Sequence, residues 1–469
     1  MTTPMTRQLI DFASRLTEDD IPEAVRHKIR LHLLDTLGCG WASSQHSVSA
    51  PFLQAARISG GEGHCSVFGH HGFSPLSAVF ANASVINALD HDDGAEIQGK
   101  GLGHPGASLI ACALTALDLC DKPVSTGRLI TVLAAGYELN NRLIYAIQPT
   151  ADRFHQVYGV AQHQTIGSAL VAGLLLGFNQ QQLNDAIGLA AVLTPLPSMH
   201  QYNWQQRPLM SLKDAVAPAA QAALQAVMLV QQGIRGSQDV LDGDQGFWRM
   251  IGSDQIEQSV MTEGLGSHWY AAYGSFKIFP ACRWLACALE CMQHIRRATG
   301  WNPDVIAAVR IYSFPRLVND LMDSQPQTIT DAQFSLPWTL AMVAAGIPAG
   351  ADWYSEPTLQ NRGYQALAAK ITASVDKELT ARMDGAARQP GARVEVIHHN
   401  GQTYSHQQLI PSGSAGRPLP ESQIVAKARH NLHAAPGAGE DIIRRIMQGN
   451  SQISYRSAAG LNGSDCSLF

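Results

Sequence analysis

Four segments of the chain place a basic side chain just ahead of a helical pattern, and together they could bind and deprotonate an anion. His104 precedes Pro105-Gly106 and an apolar run from Ala107, with Pro105 suited to the first helical position. His163 precedes a run beginning near Thr165, and Lys213 precedes Asp214–Val230, where Pro218 fits only in the early turns. The stretch Phe276-Lys277-Ile278-Phe279-Pro280-Ala281-Cys282-Arg283 sets Lys277 and Arg283 before a helix that starts near Trp284. A helix N-terminus carries partial positive charge and unpaired N–H groups that attract carboxylates and phosphates. The same field lowers the pKa of a nearby His or Lys and favours the neutral, proton-accepting form. If the four starts converge, they make a site for a polyanion that contains its own bases. Taken singly, each is also simply a polar residue that begins a helix.

The acidic candidate is Leu89-Asp90-His91-Asp92-Asp93-Gly94, which falls where a helix over Pro75–Leu89 ends. Acids there oppose the helix dipole, so their cost invites an explanation. A divalent ion held by Asp90, His91, Asp92, Asp93 and His104 is one reading, but neither a zincin helix nor an EF-hand loop is present. The preferred reading is one carboxylate that orients a catalytic His, with the others solvated or ion-paired. Cys282, Cys287 and Cys291 raise an iron–sulfur cluster, but their spacing fits no ferredoxin pattern and suits an apolar helix face. Gly60-Gly61-Glu62-Gly63 follows no strand and is not a dinucleotide fingerprint.

The elements that must carry these residues are mostly helical. With 469 residues, 45% hydrophobic and 15% charged, the chain has the composition of large buried cores. Helical periodicity runs from Arg7 to about Gly252. Helices are expected over Pro22–Leu37 (ending at Gly38), Pro75–Leu89, Ala107–Leu119, Thr126–Ile147, Thr165–Leu176 and Ala215–Val230. Near Ser267 the character changes. Val305–Phe314 reads as a strand, and Ala392–Leu409 as a hairpin about Asn400-Gly401, with helices at Asp331–Ala345 and Leu359–Ala373 between them. Helices return at Glu421–Leu432 and Glu440–Met447, before a loose polar tail from Ser451. The expected fold is mainly α with an inserted α+β domain bearing an antiparallel sheet: residues 1–266 all-helical, 267–412 the α+β lid, 413–469 a return to the helical domain. A net charge of −5 and the lack of a basic stripe give no reason to expect nucleic acid as a partner. Scattered cysteines in apolar surroundings, no secretory pattern at the N-terminus and apolar runs too short for a bilayer point to a cytoplasmic chain.

At these same segments the sequence resembles the MmgE/PrpD family, whose activities include 2-methylcitrate dehydration, cis-aconitate decarboxylation and iminodisuccinate epimerisation. The resemblance covers nearly the whole chain. It is most specific at Asn87–Asp93, His104-Pro105-Gly106, His163 with the Gly167–Gly177 helix, Lys213, Lys277–Arg283 and Asp331–Pro337. It implies a helical domain built from both chain ends, an inserted lid, a homodimer, a cleft between the domains and no metal or organic cofactor. It places the catalytic positions on Asp90, His104, His163, Lys213 and Lys277. Arg283, Asp93 and Arg207 complete the expected substrate-binding set. Three departures count against a cis-aconitate decarboxylase: Gly94 where such members carry Thr, no Tyr near Leu317, and Ala286 in place of a His.

The expected reaction is therefore dehydration of a small hydroxy-polycarboxylate such as 2-methylcitrate or citrate. Lys213, Lys277 and Arg283 would hold carboxylates. His163 or a neutral Lys would take the proton alpha to a carboxylate, and His104, oriented by Asp90, would protonate the departing hydroxyl. The alternatives are an epimerase of a dicarboxylate such as iminodisuccinate, a decarboxylase of an aconitate-like acid, and an inactive small-acid-binding protein.

Overall fold

In the computed structural model the described residues are 3–97, 100–101, 103–199, 204–385, 388–435, 439–448 and 454–455. Of the expected polar tail, only Ser454–Tyr455 lies among them, pairing with Val124–Ser125. The principal helices of the larger body are α1 (Met5–Arg15), α2 (Glu23–Ser44), α3 (Pro75–Asn87), α4 (Pro105–Leu119), α5 (Thr126–Ala146), α6 (Ala161–Leu175), α7 (Gln180–Leu193) and α8 (Val216–Gln231). Among the described residues no helix is long and apolar enough to cross a membrane.

Helix α6 is buried along its whole length and packs against α4, α5, α7 and α8. A helix that is apolar all round, as α4 and α6 nearly are, can only sit inside other helices. Each fully buried Leu or Ile in that stack, such as Leu109 and Ile110, contributes about 1.5–3 kcal/mol. Helix α2 runs to Ser44 instead of ending at Gly38. Glycine costs about 1 kcal/mol in a helix interior, but Cys39 and Trp41 on the extra turns are each almost fully buried, and that gain wins. This core continues into Ala428, Leu432, Ile442 and Ile446 of the C-terminal helices Glu421–Leu432 and Gly439–Met447, which pack against α2.

A second core is built mainly from residues 279–396. It joins the helices Ala286–Thr299 and Leu336–Ala345 to a sheet of four strands: β1 (Ile306–Ser313), β2 (Ile371–Val375), β3 (Ala392–His398) and β4 (Thr403–Gln408). The order is β2-β1-β3-β4. The β3–β4 hairpin turns at Asn400-Gly401 as expected, with Gly401 at φ 83°.

Three expectations fail here. The sheet is mixed, because β2 pairs parallel to β1 through the long connection that parallel strands require. The helix expected over Leu359–Ala373 stops at Ala368, and the β-branched residues Ile371, Thr372 and Val375 form the parallel strand instead. The expected helix Asp331–Ala345 is two helices broken at Phe334-Ser335, where Ser335 Oγ accepts from Trp338 N at 3.0 Å and starts the second.

Candidate active site

The turn after α3 carries the acids, and each side chain leaves it in a different direction. Asp90 sits in the left-handed region at φ 53°, a strained position for a residue with a Cβ. Its Oδ2 accepts from Lys277 Nζ at 2.8 Å and its Oδ1 from Lys213 Nζ at 3.2 Å. Lys213 also donates to Gln333 Oε1 at 2.9 Å, and Gln333 is itself held by the Ala88 carbonyl at 2.8 Å. Burial pushes the Asp90 carboxyl up, but the two ammonium groups and His104 outweigh it and hold it well below the carboxylate range. Asp90 therefore does not orient His104, as the sequence suggested; it bridges two buried lysines.

The orienting carboxylate is Asp92. His104 is the residue just before α4, and its Nδ1 lies 3.2 Å from Asp92 Oδ2 and 3.1 Å from the Asp93 carbonyl oxygen. Both are acceptors, so Nδ1 carries the proton and Nε2 is the working nitrogen, 3.8 Å from Asp214 Oδ2. Burial opposes a charge on His104, but Asp92 outweighs it and raises the ring above the ordinary imidazole range. Asp214 and Ala215 are both left-handed, at φ 52° and 53°, which turns the chain sharply between Lys213 and α8.

Asp93, expected to bind substrate, is among the cavity-lining residues, but its carboxylate is engaged inside the fold. It accepts from Tyr137 Oη at 2.7 Å, from the Gly106 N–H at 2.9 Å, and contacts His32 Nδ1 at 2.6 Å. Gly106 is required there, since a Cβ would stand 2.6 Å from both Asp93 Oδ1 and Thr36 Oγ1. His91 points away to the Ile278 carbonyl at 3.0 Å. Lys427, from the C-terminal segment, clamps the turn by donating to the His91 carbonyl at 2.6 Å while paired with buried Asp35. The four side chains thus diverge, and among the described residues no three such groups converge as a metal set. Cys282, Cys287 and Cys291 are buried free thiols, with Cys282 and Cys291 pushed up to about 12 chiefly by burial.

His163 lies in the first turn of α6 rather than ahead of it, and its ring is buried. Nδ1 faces the Val160 carbonyl at 3.4 Å, which places the proton there, and Nε2 has no hydrogen-bond partner among the described residues. Burial lowers its pKa to about 4, so it is neutral at pH 7.

A cavity of about 560 Å³ is lined by Asp90, His104, His163, Lys277, Arg283 and Asp214, with aromatic residues including Phe154 and Trp284. Lys213 stands behind Asp90 and is not part of the lining. Arg283 reaches the cavity but is already paired with Glu96 and donates to Ser275 Oγ at 2.7 Å. The short strand carrying Glu96 approaches Gly274–Ser275 through Gly94, where a Cβ would meet Ser275 Oγ at 2.9 Å. Arg207 is a correction: it donates to the Asp320 carbonyl at 2.8 Å, sits 3.6 Å from Asp331, and does not line the cavity. Sequence reasoning also passed over Asp214, Glu96 and Gln333, each of which reaches the site only through tertiary contacts.

Residues 7–259 match the MmgE/PrpD N-terminal domain and residues 279–452 the MmgE/PrpD C-terminal domain. The chain is 22% identical to a cis-aconitate decarboxylase of Aspergillus terreus over 91% of its length and 88% of that protein. It is also 22% identical to the cis-aconitate decarboxylase-like protein oryM of Aspergillus oryzae, over 98% and 96% of the two chains. With human cis-aconitate decarboxylase it shares 27% identity over 62% of its length and 56% of that protein. With both domain models matched along its length, the chain belongs to the MmgE/PrpD family.

Proposed function

We propose that the chain is a lyase that dehydrates a small hydroxy-polycarboxylate of the 2-methylcitrate or citrate type. The observation that carries this reading is the pairing of opposite proton states in one cavity: neutral His163 with an unpartnered Nε2, and His104 whose imidazolium Asp92 favours. Groups pushed apart in this way divide into base and acid. His163 Nε2 takes the proton alpha to a carboxylate, leaving the C–H electrons in an enediolate, and these electrons form the alkene when the C–O bond then breaks. His104 gives its Nε2 proton to the departing hydroxyl, which leaves as water. Lys277 on the cavity wall faces the enediolate charge that builds up in between.

Decarboxylation is the second reading, supported by the names of the similar proteins. Loss of carbon dioxide leaves its electrons on carbon and needs an acid to protonate that carbon, but no base. A buried neutral His163 has work only if a C–H proton is removed, and Leu317 is fully buried in the second core with no hydroxyl to offer the site.

The test separates the two histidines. His163→Asn is expected to lose both turnover and exchange of the alpha proton into deuterated water, each by about 10²–10⁴-fold. His104→Asn is expected to lose turnover by a similar factor and keep exchange. Exchange at the wild-type rate in His163→Asn removes that residue as the base and with it the dehydratase reading.

A further inference from the structure

The cations expected to hold the substrate are spent on the protein's own acids. Lys213 and Lys277 both meet Asp90, Arg283 meets Glu96, and His104 lies between Asp92 and Asp214. At this end of the cavity every cation has a carboxylate, so a polyanion arriving there finds no surplus positive charge. The same cavity carries a second group of cations. Arg153, Arg316 and Arg388 all line it, and of the four carboxylates in the described lining only Asp384 stands outside the reacting end.

Two of these arginines, Arg316 and Arg388, meet at one aromatic ring. The Arg316 guanidinium lies 5.6 Å from the centre of Phe154 and 5.0 Å from that of Trp284, and Arg388 lies 6.0 Å from Phe154. Arg153, next to Phe154 in the chain, is fixed by donating to the Gly252 carbonyl at 2.7 Å and to Gln156 Oε1 at 3.1 Å. Among the described residues neither Arg153 nor Arg388 forms an ion pair. A guanidinium resting on an aromatic face keeps its donor edge available, and that planar fork matches carboxylate and phosphate oxygens. Gathering like charges on a cavity wall costs energy unless an anion is their partner. The cavity also falls in the range of about 300–1,000 Å³ that takes ligands of drug size.

We propose that Arg153 and Arg388 form a second, anion-binding subsite that holds a carboxylate or phosphate of the substrate away from its reacting carbon. The substrate is then an elongated acid, with one end at His104 and His163 and another anionic group on the arginine wall. The proposal rests on the lyase reading only for which end reacts.

The experiment uses two probes that carry no leaving hydroxyl, tricarballylate and phosphonoacetate, titrated into the full-length protein by calorimetry. Binding of either is independent of turnover, so the subsite and the lyase reading can fail separately. The wild type is expected to bind at least one probe, more weakly as salt rises. The better-bound probe tells whether carboxylate or phosphate is the natural partner. Arg153→Gln and Arg388→Gln, with unchanged thermal midpoints, are expected each to weaken that probe about tenfold, the loss of one charge-assisted contact. If neither probe binds the wild type, or if both arginine variants bind as wild type does, the wall is only a latch on Phe154 and the proposal is overturned.

Discussion

Replacing Asp90 by Asn tests the site's electrostatics without changing its shape. The carboxylate is 2% exposed and bridges two ammonium groups at 2.8 and 3.2 Å. At an effective dielectric constant of about 20, those separations correspond to attractions of about 6 and 5 kcal/mol. Most of that is offset by the several kcal/mol that each ion loses on leaving water. Intact, the cluster therefore adds little net stability. Asn leaves both lysines buried and unpaired, which costs about 3–5 kcal/mol. The pH dependence has a definite sign. In the wild type the Asp90 pKa is depressed, so its contribution is present above the ordinary value of 3.8 and is lost only as the pH falls through the depressed value. Denaturant unfolding of both proteins at pH 7 reads the loss directly. The double variant Asp90→Asn with Lys277→Met is expected to recover part of the loss, since one orphaned charge is gone. An Asp90→Asn protein within about 0.5 kcal/mol of wild type at pH 7 refutes the reasoning.

Other perturbations read other parts of the site. The rate profile is expected to be bell-shaped, rising as His163 loses its proton near pH 4 and falling above 6.5 as His104 loses its own; an acidic limb at the ordinary imidazole value contradicts the base assignment. Asp92→Asn is expected to move the alkaline limb to lower pH, because burial then acts on His104 without its partner, and an unmoved limb shows that Asp92 does not set the acid. Lys427→Met leaves Asp35 buried without its cation, so a loss of about 3–5 kcal/mol in unfolding free energy is expected together with lower turnover from a loosened Asp90–Asp93 turn. Wild-type values in that variant show that the C-terminal helix does not hold the turn.

The helical part of the fold was legible because its cues are local. Apolar periodicity bounded by Gly and Pro placed Glu421–Leu432 to the residue and α4 within two residues of its start. The Asn400-Gly401 hairpin was legible for the same reason, since a two-residue turn carries its own chemistry. Strand β2 was not, because its pairing with β1 is non-local and its five residues follow a helical pattern. At the site, the helix-start argument singled out His104, His163 and Lys277, and all three line one cavity. It could not tell Asp90 from Asp92. They are two residues apart in a turn, and the left-handed backbone at Asp90 sends their side chains to different partners. Nor could it see that Glu96 occupies Arg283, or that Arg153, Arg316 and Arg388 share a wall. Those arginines come from distant segments with no pattern linking them.

The most direct test of the dehydratase account is proton NMR of the wild-type protein in deuterated water with a chelator present. The panel is 2-methylcitrate, citrate, cis-aconitate, the tartrate isomers and iminodisuccinate. The account predicts a new alkene signal from a hydroxy acid, appearing with deuterium exchange at the alpha carbon. Carbon dioxide release from cis-aconitate with no alkene formed from any hydroxy acid contradicts it, and so does exchange in iminodisuccinate without net elimination anywhere in the panel.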